Sequence, residues 1–155
     1  MADSDSFWQV EQEKASREQL RRLQLERLQQ TIEQAIRSPF YREKLKKAGL
    51  KPGISSLEEI QRFPFTEKED LRQCYPFGMV AVPLNQLIRM HASSGTTGKS
   101  TLIFHTRKDI ETWADLVARS LYMVGARAGD IFQNMMTYGL FTGGLGIHFG
   151  ALELG

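Results

Sequence analysis

The sequence predicts an α/β fold in which a helical N-terminal segment precedes short strands, tight loops and one long helix. Two observations carry this. Residues 1–78 hold 27 of the 38 charged side chains and three of the 13 glycines, while residues 79–155 hold 11 charges and ten glycines. Charge without glycine reads as helices with solvated faces; glycine without charge reads as buried strands and bends. After Gly78 the order is then strand, loop, strand, helix, strand, which suits an α/β sandwich. A boundary is expected near Pro76-Phe77-Gly78, with residues 1–78 as the helical segment.

The first helix is expected over residues 8–36, where Leu20, Leu23, Leu28, Ile32 and Ala35 or Ile36 form an apolar stripe. Ser38-Pro39 reads as an N-cap followed by proline at the first helical position, and Gly49 as the stop of that short helix. Ser56-x-x-Glu59 and Thr66-x-x-Glu69 read as capping boxes of two more short helices, separated by Pro64. Residues 79–82, 87–92 and 101–106 read as strands, the last being β-branched and aromatic. Thr106 caps the next helix. Its buried face is Ile110, Trp113, Val117, Leu121 and Val124, and Gly125 ends it. A further strand is expected over residues 131–135, then a glycine-rich bend over residues 138–146.

Composition excludes several classes. A net charge of +2 gives no electrostatic reason to expect nucleic acid or an anionic membrane. No apolar run approaches the roughly 18 residues of a membrane span. One cysteine gives no disulfide framework, and no Cys/His cluster has zinc spacing. The start, MADSDSFWQVEQEK, lacks a basic stretch followed by an apolar one, so a reducing cytoplasm is the expected location.

The chemistry concentrates in Ser93, Ser94, Gly95, Thr96, Thr97, Gly98 and Lys99. Two glycines let backbone N–H groups turn into one concavity, four hydroxyls add donors, and Lys99 adds a point charge. Such a loop suits a polyphosphate. It is not a Walker A loop, because only Thr96-Thr97 separate Gly95 from Gly98-Lys99 and a strand follows where a Walker loop opens a helix. A chance match to the seven-residue string is on the order of one in a million for a chain of this length.

This string resembles the phosphate loop of the adenylate-forming superfamily, the acyl-CoA synthetases and their relatives. Three flanking stretches, Ser38-Pro39-Phe40-Tyr41-Arg42, Arg62-Phe63-Pro64-Phe65-Thr66 and Tyr75-Pro76-Phe77-Gly78, are similar to segments of phenylacetate–CoA ligases, as is YGLFTGGLG over residues 138–146. The resemblance implies the mixed-sheet α/β large domain of such an enzyme, starting at residue 79. It further implies ATP, Mg2+ and coenzyme A as cofactors, a small aromatic carboxylic acid as partner, and a second copy of the chain as a candidate partner. It implies a two-step ligase: acid attacks the α-phosphorus of ATP, then coenzyme A attacks the acyl-AMP. Met136, Tyr138, Phe141, Gly143, Gly144, Gly146 and Ile147 would line the acid pocket. Two positions depart from the family pattern. Ser100 stands where proline is usual, and Met136-Thr137 stand for tyrosine and glycine, so the particular aryl acid stays open. The family's later motifs have no counterpart, so an N-terminal fragment without catalytic residues and inactive alone is expected. An adenylating enzyme with another acceptor, or a non-catalytic interaction module, are the alternatives. Of the other residues, His91 precedes the loop, where packing outweighs nucleotide contact. His105 and His148 lack ligand spacing, Cys74 reads as inert, and Trp113 as core.

Overall fold

A computed structural model describes residues 6–93, 100–139 and 142–155. The chain forms two compact units: Ala15–Gln86, and the N-terminal residues up to Lys14 with Leu87–Gly155.

The first unit is helical: α2 over Arg17–Ala35, α3 over Pro39–Lys47, a 3₁₀ helix over Leu57–Arg62 and α4 over Lys68–Gln73. The long helix expected over residues 8–36 is two helices, α1 over Val10–Glu13 and α2. The break is a capping box not recognised in the sequence. Ser16 Oγ accepts from Gln19 N, and Gln19 Oε1 accepts from Ser16 N at 2.7 Å. Of the expected stripe on α2, Ile32 is buried. Ser38 caps α3 as expected; it is fully buried and its hydroxyl donates to Ala35 O. Gly49 ends that helix at φ +66. Of the two expected capping boxes, the first does not form, since Ser56 is the N-cap of the 3₁₀ helix without a side-chain cap bond, and the second shifts by one residue. Glu59 takes the N–H of Ser55, and Glu67 with Asp70 caps α4 while the Thr66 hydroxyl pairs with that of Tyr41 at 2.9 Å. Residues 79–82 are not a strand. Val80 N closes a turn on Phe77 O, and Ala81 O accepts from the Gln34 side chain.

The second unit holds β1 over Leu87–Ala92, β2 over Leu102–Thr106, α5 over Arg107–Met123 and α6 over Thr142–Leu154. The strands pair antiparallel, with Met90 opposite Phe104 and His91 opposite Ile103. Thr106 caps α5 through a box with Asp109. Ile110, Ala114 and Ala118 are its buried face, whereas Val124, expected on that face, is the C-cap and 82% exposed. Gly125 stops the helix at φ +102.

Two expectations fail here. Residues 131–135 form no strand, because no third strand lies beside β1 or β2 among the described residues to take their backbone groups. Gly143, Gly144 and Gly146 are not a bend but the opening turns of α6. Gly146 and Gly150 let α6 lie against α5: a Cβ on Gly146 would sit 2.5 Å from Trp113 Cζ2, and one on Gly150 2.2 Å from Val117 Cγ1. Among the described residues, no helix is long and apolar enough to cross a membrane.

Candidate functional site

The antiparallel hairpin delivers the hydroxyl-rich loop. β1 ends at Ala92 and β2 begins at Leu102, so the chain must reverse in between. Its neck is tied by three bonds. Ser93 N donates to Thr101 O at 3.0 Å, Thr101 N donates to Ser93 Oγ at 3.1 Å, and the two hydroxyls pair at 2.7 Å. Thr101 is buried. Ser93, read from the sequence as a phosphate contact, here closes the neck. Ser94, Gly95, Thr96, Thr97, Gly98 and Lys99 lie outside the described residues, as does Phe141.

Beneath the neck lies an aromatic cluster. His91 on β1 packs against His105 on β2 with ring centroids 5.0 Å apart, and both stack on Trp113 of α5 at 5.4 and 5.5 Å. His91 is 2% exposed, and neither ring nitrogen has a hydrogen-bond partner among the described residues. Burial pushes its pKa below the ordinary imidazole value, and the neighbouring His105 and Arg89 push the same way. Burial also lowers that of His105, against an opposing pull from Asp109. Arg89, also on β1, lies with its guanidinium 4.3 Å from the centre of the Phe149 ring on α6.

The candidate acid-pocket residues gather at the start of α6. The Met136 sulfur lies 3.3 Å from where a Gly143 Cβ would be, and Thr137 O 2.8 Å from that of Gly144. These two glycines therefore let the 136–137 backbone and the Met136 side chain lie on the helix. Met136 and Tyr138 stay about half exposed. Gly146 is buried against Trp113 and serves helix packing, and Ile147 beside it is half-buried. The structure thus brings Met136, Tyr138, Gly143 and Gly144 together.

Sequence reasoning missed Asn134. Its Nδ2 donates to Gly144 O at 2.9 Å and to Tyr138 Oη at 3.1 Å, and its Oδ1 accepts from Met136 N at 3.0 Å. Tyr138 Oη pairs in turn with His148 Nδ1 at 3.1 Å. An uncharged amide in an apolar run was the available signal, since such a group is buried only with its bonds made. A separate cavity of about 340 Å³ is lined by Leu121, Arg127, Phe132 and Leu154 among others, and by none of the site residues expected from the sequence. Among the described residues, no three His, Cys, Asp or Glu side chains converge as a metal site.

No family model matches the chain. In fold it is similar to part of the acyl-CoA ligases. It superposes on crystal structures of 2-hydroxyisobutyryl-CoA ligase with TM-scores of 0.90 and 0.89 at 34% and 33% identity, over 99% of this chain and 34% and 37% of those chains. Those structures hold 2-HIB-AMP and coenzyme A. In sequence it is similar to curated phenylacetate-coenzyme A ligases. That of Aromatoleum evansii is 53% identical over 92% of this chain, that of Thermus thermophilus 51% over 96%, and that of Escherichia coli 48% over 92%. The comparisons bear out the resemblance read from the four motifs. The chain spans about a third of the length of these relatives.

Proposed function

We propose that this chain supplies the phosphate loop and part of the acid pocket of an ATP-dependent, AMP-forming aryl-acid–coenzyme A ligase. The reaction is phenylacetate + ATP + coenzyme A to phenylacetyl-CoA + AMP + diphosphate, in the catabolism of aromatic acids in the cytoplasm. The observation that carries this reading is the clasp between Ser93 and Thr101, which joins the ends of the stretch holding the string SSGTTGK to one strand pair. In the first step negative charge grows on the departing diphosphate. Backbone N–H groups, the threonine hydroxyls and Lys99 would meet that charge without rearranging, which is where preorganised donors are most effective. The acid would lie along Met136 and Tyr138, its aryl group on the apolar side chain. The second step would transfer the acyl group to the thiol of coenzyme A with release of AMP.

The test has two arms. ATP added to the 155-residue chain is expected to slow hydrogen exchange at the Thr96 and Thr97 amides. The chain is also grafted in place of the matching third of the Thermus thermophilus relative. There, replacing Thr96 and Thr97 by valine is expected to lower ATP–diphosphate exchange by about 10²-fold or more. Unprotected amides together with undiminished exchange would overturn the reading.

A further inference from the structure

Tyr138 Oη is held between two partners that the proposed reaction leaves without a role. On one side is Asn134. Its amide orientation is fixed by its other bonds, because Met136 N–H needs an acceptor at 3.0 Å and Gly144 C=O needs a donor at 2.9 Å. Nδ2 therefore faces Tyr138, and Oη accepts from it. On the other side is His148 Nδ1, at 3.1 Å. The His148 ring is itself fixed between the Tyr138 and Phe149 rings, nearly perpendicular to each at centroid distances of 5.6 and 5.2 Å.

The proton inventory of this triad has two settings. A phenol has one proton to donate and two lone pairs. One lone pair belongs to Asn134. When His148 Nδ1 is bare, the phenol proton goes to it, and Oη keeps a single lone pair for anything else. When Nδ1 carries a proton, it donates to Oη, and the phenol proton is released toward the half-exposed face that Tyr138 shares with Met136. In the first setting Tyr138 meets a ligand as acceptor, in the second as donor.

We infer that Asn134 and His148 are positioning residues for Tyr138, and that the proton on His148 sets whether its hydroxyl meets an acid ligand as acceptor or donor. This rests on reading the 136–146 segment as the acid pocket. Only the donor setting suits the oxygens of a carboxylate, so binding a carboxylic acid there favours the arrangement with the His148 proton on Nδ1.

The experiment uses the 155-residue chain labelled with ¹³C at tyrosine Cζ and ¹⁵N at histidine. First, phenylacetate is added to the parent chain. Tyr138 Cζ is expected to shift together with the His148 ring ¹⁵N signals, Nδ1 moving toward its proton-bearing position, and the Cζ shift is expected to become smaller in Asn134→Ala and in His148→Gln, which keeps a hydrogen-bonding group. A Tyr138 Cζ that shifts while the His148 nitrogens do not overturns the triad. Second, phenylacetate affinity is compared across variants. Binding is expected to be about three- to tenfold weaker in Tyr138→Phe than in the parent chain, and no weaker still when Asn134→Ala is added to it. Unchanged affinity in Tyr138→Phe, or no shift at Tyr138, overturns the role toward the acid. ATP is added in the same samples. Protection of Thr96 and Thr97 amides there shows that the nucleotide reading survives, so the two failures are separable.

Discussion

Gly146 lies so close to Trp113 that a β-carbon on it would stand 2.5 Å from Cζ2 and 3.0 Å from Nε1 of the indole. The contact joins the helix that opens at the candidate acid pocket to the ring beneath the loop neck, since Trp113 also stacks on His91. One methyl group here must push a rigid ring or the whole of α6. Gly146→Ala is therefore expected to cost about 1–3 kcal/mol in urea unfolding, the usual range for overpacking. Gly139, with nothing within 4 Å of its built Cβ and no positive φ, is the control. Gly139→Ala is expected to change stability by about 0.5 kcal/mol or less.

The Ser93–Thr101 clasp gives the second prediction. Ser93→Ala removes the oxygen that accepts from the Thr101 N–H and pairs with the Thr101 hydroxyl, and Thr101 is 7% exposed. Leaving buried polar groups unpaired costs about 1–3 kcal/mol. The variant is expected to lose that much stability. Because the neck also sets the span of the loop, it is expected to weaken ATP binding by more than Ser94→Ala does. Calorimetry on both variants checks the order.

How much of this was legible depends on whether the signal was local. Thr106 with Asp109, Ser38 before Pro39, and the left-handed Gly49 and Gly125 were readable, because each cap is made by residues within a few positions. The resemblance rested on contiguous strings, the loop and four further stretches. Ser16 with Gln19 obeys the same local rule but was overlooked within an apparently continuous periodicity. The expected strand over residues 131–135 failed for another reason: a strand needs a neighbour, and its pattern does not say whether one is present. Asn134, Tyr138 and His148 converge through the fold of α6 across ten residues that no spacing rule relates. The glycines of α6 were misread because their role, close approach to α5, lies in tertiary structure.

Asp115 predicts how the N-terminal residues are held. Its carboxylate accepts from Trp8 Nε1 at 2.8 Å and from Gln9 Nε2 at 2.7 and 2.8 Å, while Arg119 on the same helix donates to Gln9 Oε1. Trp8 also packs on Tyr122, ring centroids 5.7 Å apart. Bonds to a charged acceptor contribute more than neutral ones. Asp115→Ala is expected to cost about 1.5–3 kcal/mol and to expose Trp8, whereas Asp115→Asn, which keeps one acceptor, should cost less. Acrylamide quenching of Trp8 in a Trp113→Phe background reads the exposure directly.

The buried histidine pair predicts a pH dependence with a definite sign. His91 and His105 both have pKa values lowered in the fold, chiefly by burial. Above the ordinary imidazole value of about 6.5, both are neutral in the folded and unfolded chains and contribute no pH slope. Below it the unfolded chain gains protons that the fold refuses, so stability falls as pH drops, until the lowered folded-state values are reached. The groups facing His91 give no relief: Arg89 and a protonated His105 both oppose its charging, and the pull of Asp109 falls on His105. The urea midpoint is therefore expected to fall between pH 7 and pH 5. His91→Phe keeps a ring against Trp113 and removes a titrating group, so it should flatten that fall. If the midpoint of the parent chain held constant across this range, or if His91→Phe steepened its decline, His91 would have a proton acceptor in solution. A buried His91 ring without a hydrogen-bond partner among the described residues would then be wrong.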